Sequence, residues 1–446
     1  MTVPRAPWRE RFSWALYDFA NTIFSMNITT LYFNLWLIND LHTSNTAVAL
    51  GNGISSLLVA GSIPLFGAIS DARQRRVPWV VWLTLISVAA TVAIGIVGQT
   101  VVPLVGESVL GGVTVPDGWQ ANGMGLVAVL VAFVIANYTY QGAIPFYNAM
   151  LPDLVPQHEQ GRLSGLGTAL GYVGSITGVI LIAPFFTGTL PLIGAVPGAV
   201  MRVLHTLFPF TAHEGRVSTF VPTGVLFLLF SLPLFFFCRD HHPVRDKRPI
   251  RAGDAFRSLW QTLRDTTHHP GALRFILTSF LYQDAMGTII SFMAVYAVKV
   301  MGFAKGAEIT LFIVLTIPAV FGSYLAGVLV DRIGPKKTLM IVLTSWIALL
   351  IAMIFVPNQN AFWAVGFGIG FIFGGVSTAE RPLLLTLIPR DEAGRFFSLM
   401  VLSSRAAAVL GPFIWAFTVD GLTGSLGEGT AYRVAVGTVS LGFVIA

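Results

Sequence analysis

Runs of apolar residues about as long as a bilayer is thick recur from one end of this chain to the other, with little chain left between them. A helix that crosses the hydrocarbon core needs roughly 20 such residues. Stretches of this kind run from 12 to 39, 46 to 70, 78 to 98, 122 to 150, 164 to 186 and 220 to 238. A second set runs from 271 to 298, 306 to 330, 338 to 356, 361 to 388, 396 to 420 and 431 to 446. Inside lipid every backbone N–H and C=O has to find its partner within the protein, so spans of this length are helices. The expected fold is an all-α membrane protein of twelve transmembrane helices in two six-helix bundles, 1–238 and 271–446, joined by a polar linker, 239–270. A hydrophobic content of 54% against 11% charged residues, with mean hydropathy +0.75, excludes a water-soluble domain. The last stretch is short for a crossing and has no basic anchor after it, which reads as a helix 12 cut short.

A formal charge of +6 could mark nucleic acid, acidic lipid or membrane topology, and its distribution decides among them. With both termini on the cytoplasmic side, 20 of the 27 Lys and Arg fall in cytoplasmic segments, five in external ones and two in the membrane interior. This is the positive-inside pattern, so the basic excess is orientation and no nucleic-acid partner is expected. The amino terminus lacks the short apolar core and small-residue cleavage site of a signal peptide and reads as a retained cytoplasmic tail. With Cys238 alone, an intrachain disulfide is impossible and a thiolate metal cage is not expected. The longest external connections, 99–121 and 187–219, are rich in Gly and Pro, and the second holds a segment around Val200 to Phe210 suited to a membrane interface.

The two halves resemble each other. The cytoplasmic end of helix 2 reads Gly67-Ala-Ile-Ser-Asp71-Ala-Arg-Gln-Arg75-Arg76, and that of helix 8 reads Gly327-Val-Leu-Val-Asp331-Arg332-Ile-Gly334-Pro-Lys336-Lys337. Helix 1 carries Leu16-Tyr17-Asp18 where helix 7 carries Leu281-Tyr282-Gln283-Asp284. Internal repeats of this kind are how many secondary transporters are built. The glycine admits a neighbouring helix and the aspartate can cap or pair at a helix end facing the other half, so these two segments are candidate gates. Both resemble the G-x-x-x-D-R-x-G-R-R/K loop of the major facilitator superfamily. Ser13-Trp-Ala-Leu-Tyr17-Asp18-Phe-Ala-Asn21-Thr22 is similar to the signature of the vacuole effluxer-like branch of that superfamily. Tyr147-Asn148-Ala-Met-Leu-Pro152-Asp153, Gly161-Arg162-Leu-Ser164-Gly165 and Ala169-Leu-Gly171-Tyr172 agree with the same branch, as a bacterial-type member. The chain departs from it at Ala285 and at Ala379-Glu380-Arg381-Pro382. The resemblance implies the major facilitator fold, alternating access around a cavity lined by helices 1, 4, 7 and 10, a monomer, and the bacterial cytoplasmic membrane. Eukaryotic members of the branch are associated with moving amino acids out of the vacuole.

Ionisable groups within a bilayer cost at least about 2.5 kcal/mol each and are functional candidates by default. On helix 1, Trp14, Asp18, Asn21, Ser25 and Tyr32 fall near one face, and on helix 4 Asn137, Gln141 and Asn148 repeat at similar spacing beside Tyr138, Tyr140 and Tyr147. At a rise of about 1.5 Å per residue, Asp18, Arg381 and Arg405 each lie roughly 10 to 14 Å from the cytoplasmic end of their helices. Asp18, Glu380, Arg381 and Arg405 are therefore expected to form one charged layer that binds substrate, couples protons or ties the halves together. Asp284, next to Tyr282 and with no cation nearby on its own helix, is the candidate proton carrier. Glycines at 167, 171, 174 and 178, and at 366, 370 and 374, repeat at helix-packing intervals.

No nucleotide-binding G-x-x-x-x-G-K-[ST] and no zinc-binding H-E-x-x-H occur, so neither an enzyme nor a cofactor is expected, and His241-His242 and His268-His269 read as solvated linker residues. The substrate class that suits carboxylates beside arginines is a small polar zwitterion such as an amino acid, moved together with protons. Export of larger amphipathic compounds over the aromatics of helices 1 and 4 is the alternative within transport. A lipid translocase or a sensor that binds without transporting is the alternative of another kind.

Overall fold

A computed structural model describes residues 5–43, 45–73, 75–101, 107–110, 113–116, 119–191, 193–208, 210–211, 215–240, 270–303, 308–407 and 410–446. Most of the linker, with its four histidines, lies outside the described residues. In the first half α1 is Trp8–Phe24, α2 Asn45–Arg73, α3 Val77–Gly98, α4 Trp119–Ala149, α5 Gln160–Ile182 and α6 Phe220–Phe237. In the second half α7 is Pro270–Lys299, α8 Glu308–Ile333, α9 Pro335–Ile354 and α10 Gln359–Leu387. There α11 comprises Ala393–Ala407 and Leu410–Leu426, and α12 is Glu428–Ile445. Among the described residues seven helices are long and apolar enough to cross a membrane, and a bent pair within α2, Gly53–Ile63 and Leu65–Asp71, makes an eighth. Of the other helices, α1 packs on α5 and α6, and α7, α11 and α12 pack against one another.

The turns between helices follow from their residues. Gly334, at φ 91°, lets α8 end and α9 begin within one residue, and Pro335 then occupies a first-turn position where no N–H is needed. Asn358 caps α10 by accepting from the N–H of Ala361 at 3.0 Å. Pro382 sits inside α10 directly after Arg381 and removes one backbone donor there, which loosens the turn that carries Glu380 and Arg381. Beyond Phe24, α1 continues in wider turns through Ser25–Tyr32, is regular at Phe33–Leu35, and widens again at Trp36–Asp40. Such turns shift every later side chain around the axis. Tyr32, expected on the polar face with Asp18, therefore packs instead in an apolar cluster with Phe24, Phe33, Trp36 and Phe133.

The connections from α3 to α4 and from α5 to α6 carry two small antiparallel hairpins. β1 (Glu107–Leu110) pairs with β2 (Val113–Pro116), and β3 (Thr189–Leu190) with β4 (Gly194–Ala195). The second connection also holds a helix, Gly198–Leu207.

The halves meet along α5 and α8, where small residues bring two backbones together. A Cβ added at Gly165 would lie 2.7 Å from the carbonyl oxygen of Ser323, and one at Gly327 2.5 Å from that of Gly161. Close approach of this kind is the means by which helices associate where lipid supplies no hydrophobic drive. Gly165→Val should therefore force α5 from α8 at a cost of about 1–3 kcal/mol, read as a lower thermal unfolding midpoint in detergent. Gly123→Val, at a position with nothing within 4 Å of the added Cβ, should leave the midpoint unchanged.

Candidate functional site

Two carboxylates fasten the halves together at the linker end of the bundle, each by the same device. Asp71, at the end of α2, accepts from the backbone N–H of Gly394 at 2.8 Å and of Arg395 at 2.9 Å, at the start of α11. Arg395 adds its Nε at 3.3 Å. Asp331, at the end of α8, accepts from the N–H of Gly161 at 2.9 Å and of Arg162 at 3.1 Å, at the start of α5, with Arg162 Nε at 3.4 Å. The first turn of a helix has N–H groups with no partner of their own and the positive end of the helix dipole, so a carboxylate there satisfies both. Gly67 and Gly327 serve the same pair of contacts, because a Cβ at Gly67 would lie 2.9 Å from the Cα of Arg395.

The remaining candidates of these loops are placed otherwise. Arg76 is buried within its own half, where its guanidinium bonds Asp153 at the end of α4 and its backbone N–H donates to Asp240 at 2.8 Å. Arg75, Arg332 and Lys336 are exposed.

Deeper in the bundle Asp18 of α1 and Arg381 of α10 form a two-pronged ion pair across the halves, Nη1 to Oδ2 at 2.9 Å and Nη2 to Oδ1 at 3.4 Å. Both side chains are largely out of solvent, 11% and 16% exposed. Trp14 and Tyr147 stack at 4.7 Å, and each bonds the other's backbone: Trp14 Nε1 to the carbonyl of Tyr147 at 3.0 Å, and Tyr147 Oη to that of Trp14 at 3.1 Å. The guanidinium of Arg381 lies 5.8 Å and 5.7 Å from these two rings, within cation–π range. Gly167 gives the carboxylate of Asp18 its room, since a Cβ there would stand 2.8 Å from Oδ2.

Glu380, next to Arg381, turns towards α7 and accepts from Gln283 Nε2 at 2.9 Å, with the fully buried Tyr282 beside it. Asp284 faces α11 and accepts from the N–H of Gly411 at 2.7 Å. The structure thus brings Asp18, Glu380 and Arg381 together and sets Asp284 apart on a different contact. The side chain of Arg405 lies outside the described residues.

On the first half, Asn137 donates to Ser55 Oγ at 2.8 Å and accepts from Gln141 Nε2 at 2.9 Å, which ties α4 to α2. Tyr140 rests on Phe24 with ring centres 4.8 Å apart. Five buried amide oxygens, those of Asn21, Asn27, Gln141, Asn148 and Gln160, accept no hydrogen bond among the described residues, and three of them, on Asn21, Gln141 and Asn148, belong to candidate site residues. A buried acceptor left empty costs about 1–3 kcal/mol, so these are places for a donor from outside the protein.

The helix starts that receive Asp71 and Asp331, and Gln283 on Glu380, were not among the sequence candidates. A signal for the first existed: Pro156-Gln-His-Glu159-Gln-Gly161-Arg162 and Pro389-Arg-Asp-Glu392-Ala-Gly394-Arg395 share the pattern P-x-x-E-x-G-R, one in each half. Each aspartate loop has its receiving helix start as a second repeat.

The ion pair yields a test. Arg381→Met alone should destabilise the protein by about 3–5 kcal/mol, because Asp18 is left charged and unpaired, and adding Asp18→Asn should recover most of the loss. Thermal unfolding of the four members of this cycle should give a coupling of at least about 1 kcal/mol; additive losses would mean that the two side chains do not act as a pair.

With the geometry described, the chain can be compared with known proteins. The family model described as Major Facilitator Superfamily matches residues 18–412. The chain is 23% identical over 446 residues to the uncharacterized MFS-type transporter YxiO of Bacillus subtilis, covering 98% of this chain and 95% of that protein. It is 26% identical over 400 residues to the multidrug resistance protein MdtG of Proteus mirabilis, covering 88% and 84%. Among solved structures it superposes on a variant of the E. coli fucose:proton symporter FucP with a TM-score of 0.63 at 14% identity, covering 98% and 96%.

Proposed function

The chain belongs to the major facilitator superfamily and is a multi-pass membrane transporter, not an enzyme; from that premise we propose that it moves a small polar solute bearing a protonated amine by proton-coupled alternating access. The observation that carries the substrate class is the set of empty acceptors. Asn21, Gln141 and Asn148 offer carbonyl oxygens without donors, and the cation described at the site, Arg381, is already bound on both prongs by Asp18. An ammonium group supplies donors to those oxygens and is drawn to the carboxylate of Glu380, which is held by the neutral amide of Gln283. Amino acids and related amines meet this description. Their carboxylate would compete with Asp18 for Arg381, which gives substrate a way to loosen a contact between the halves.

In this reading Asp71 and Asp331 close the linker end, taken as cytoplasmic because it is the more basic, and the site is reached from outside. Opening inward breaks both caps and the Asp18–Arg381 pair together. Gly67, Gly327 and these two aspartates are the gate, while Arg75, Arg76, Arg332 and Lys336 orient and brace the loops. Asp284 is the proton carrier, releasing the N–H of Gly411 when it is neutralised and freeing α11, whose near end Asp71 holds. Asn137, Tyr140 and Tyr282 shape the walls, and Arg405 is assigned to the same charged layer. The working unit is a monomer in a bacterial cytoplasmic membrane with both termini inside.

A second reading, export of amphipathic amines, is favoured by similarity to a multidrug resistance protein and by the ring pairs Trp14–Tyr147 and Tyr140–Phe24. Uptake into proteoliposomes under an imposed pH gradient, with a radiolabelled amino-acid panel and with ethidium, separates the two. Gradient-driven flux of an amino acid, lost at least about tenfold in Asp18→Asn and Asp284→Asn, equivalent to about 1.4 kcal/mol in the rate-limiting step, is the expected result. Flux of ethidium alone would move the substrate to the amphipathic class, and absence of flux for every compound with correctly inserted protein would overturn the amine reading.

A further inference from the structure

The helix Gly198–Leu207 in the second external connection divides its surface into three sectors rather than two. At about 100° per residue, Val200, Val203 and Leu207 share one sector, Met201, Leu204 and His205 a second, and Arg202 and Thr206 a third, with centres about 120° apart. The second sector faces the protein. Its residues are half-buried, the ring of His205 stands edge-on to Phe185 at 6.1 Å, and His205 Nδ1 bonds Thr211 Oγ1 at 2.9 Å. The third sector is polar and exposed. The first is apolar and equally exposed: Val200 46%, Val203 57% and Leu207 67%.

A helix between protein and water needs only two faces. A third, apolar face is accounted for where a third medium adjoins the other two, and the position of the helix supplies that medium. Phe185, its docking point, lies two residues before the end of the apolar span Gln157–Thr187, so the helix docks at the end of a membrane-spanning segment. Ile193 and Phe210, 76% and 49% exposed, extend the apolar surface on either side of it in sequence.

We propose that Gly198–Leu207 lies in the outer interface of the bilayer, with Val200, Val203 and Leu207 seated among the lipid chains, Met201, Leu204 and His205 against the bundle, and Arg202 and Thr206 towards water. The occupant of the apolar face is phospholipid. Burial of three aliphatic side chains at the level where headgroups meet chains is the binding mode of an interfacial helix, and it ties the external connection of the first half to one leaflet.

Cys238 is the single cysteine, so Cys238→Ser gives a background for site-specific labels. Val203→Cys and Thr206→Cys are both exposed and lie on different sectors. Each is labelled with an environment-sensitive fluorophore in vesicles of phosphatidylcholine and phosphatidylglycerol, with a quencher carried on the lipid chain near its headgroup. Quenching severalfold stronger at 203 than at 206, unchanged as protein is diluted into more lipid, is the result the proposal expects. Equal quenching at the two positions, or none at either, would overturn it. Protection of 203 that disappears on dilution would assign the face to a second copy of the chain and would overturn it as well.

Discussion

A charge inside lipid is tolerated only when another group answers it, and in this bundle the answering group is repeatedly on the other half. Asp18 is matched by Arg381, Asp71 by the first N–H groups of α11, and Asp331 by those of α5. Each bond satisfies a buried polar group and fastens one half to the other. The same three contacts therefore serve both to satisfy buried charge and to hold the halves together. Whatever lets the halves part must offer these groups other partners, and water entering from the opened end can do so for the two caps, which lie at the rim. The Asp18–Arg381 pair lies deeper, and in the proposed cycle a substrate with charges of its own replaces it.

The two caps are related as the halves are. An aspartate ending the second helix of one half meets the start of the fifth helix of the other, and the glycines at 161, 165, 327, 67 and 394 let the backbones come close enough for the bond to form. The site above them is not symmetric. On the first half it is Asp18 beside the rings of Trp14 and Tyr147, while on the second it is Glu380 held by Gln283 and Arg381 reaching across, with Asp284 on a separate contact to α11. Different side chains stand on a repeated scaffold.

Much of this could be read before the fold was known, and the reason is physical. Length and apolarity are obligatory for a span, so the helices declare themselves, and an intramembrane charge is costly enough that Asp18, Glu380 and Arg381 stood out. Asp71 and Asp331 were visible because their loop occurs twice. Their receivers were not, because a backbone N–H carries no residue identity; only the repeated P-x-x-E-x-G-R marked them. Nor could periodicity show the wide turns of α1 after Phe24, which depend on a shift in hydrogen bonding and carried Tyr32 off the polar face. Asp284 was legible as a buried acid but not as a ligand of Gly411, since the contact joins residues 127 apart in sequence.

In the proposed cycle the linker end opens when the two carboxylate caps break. Distances between spin labels at Arg75→Cys and Lys337→Cys in the Cys238→Ser background, measured by pulsed electron resonance in lipid, test it most directly, because both positions are exposed and lie on opposite halves of that end. The account predicts a short distance in the native chain and a second, longer population that grows in Asp71→Asn with Asp331→Asn. A single short distance, unchanged by removal of both caps, would contradict it.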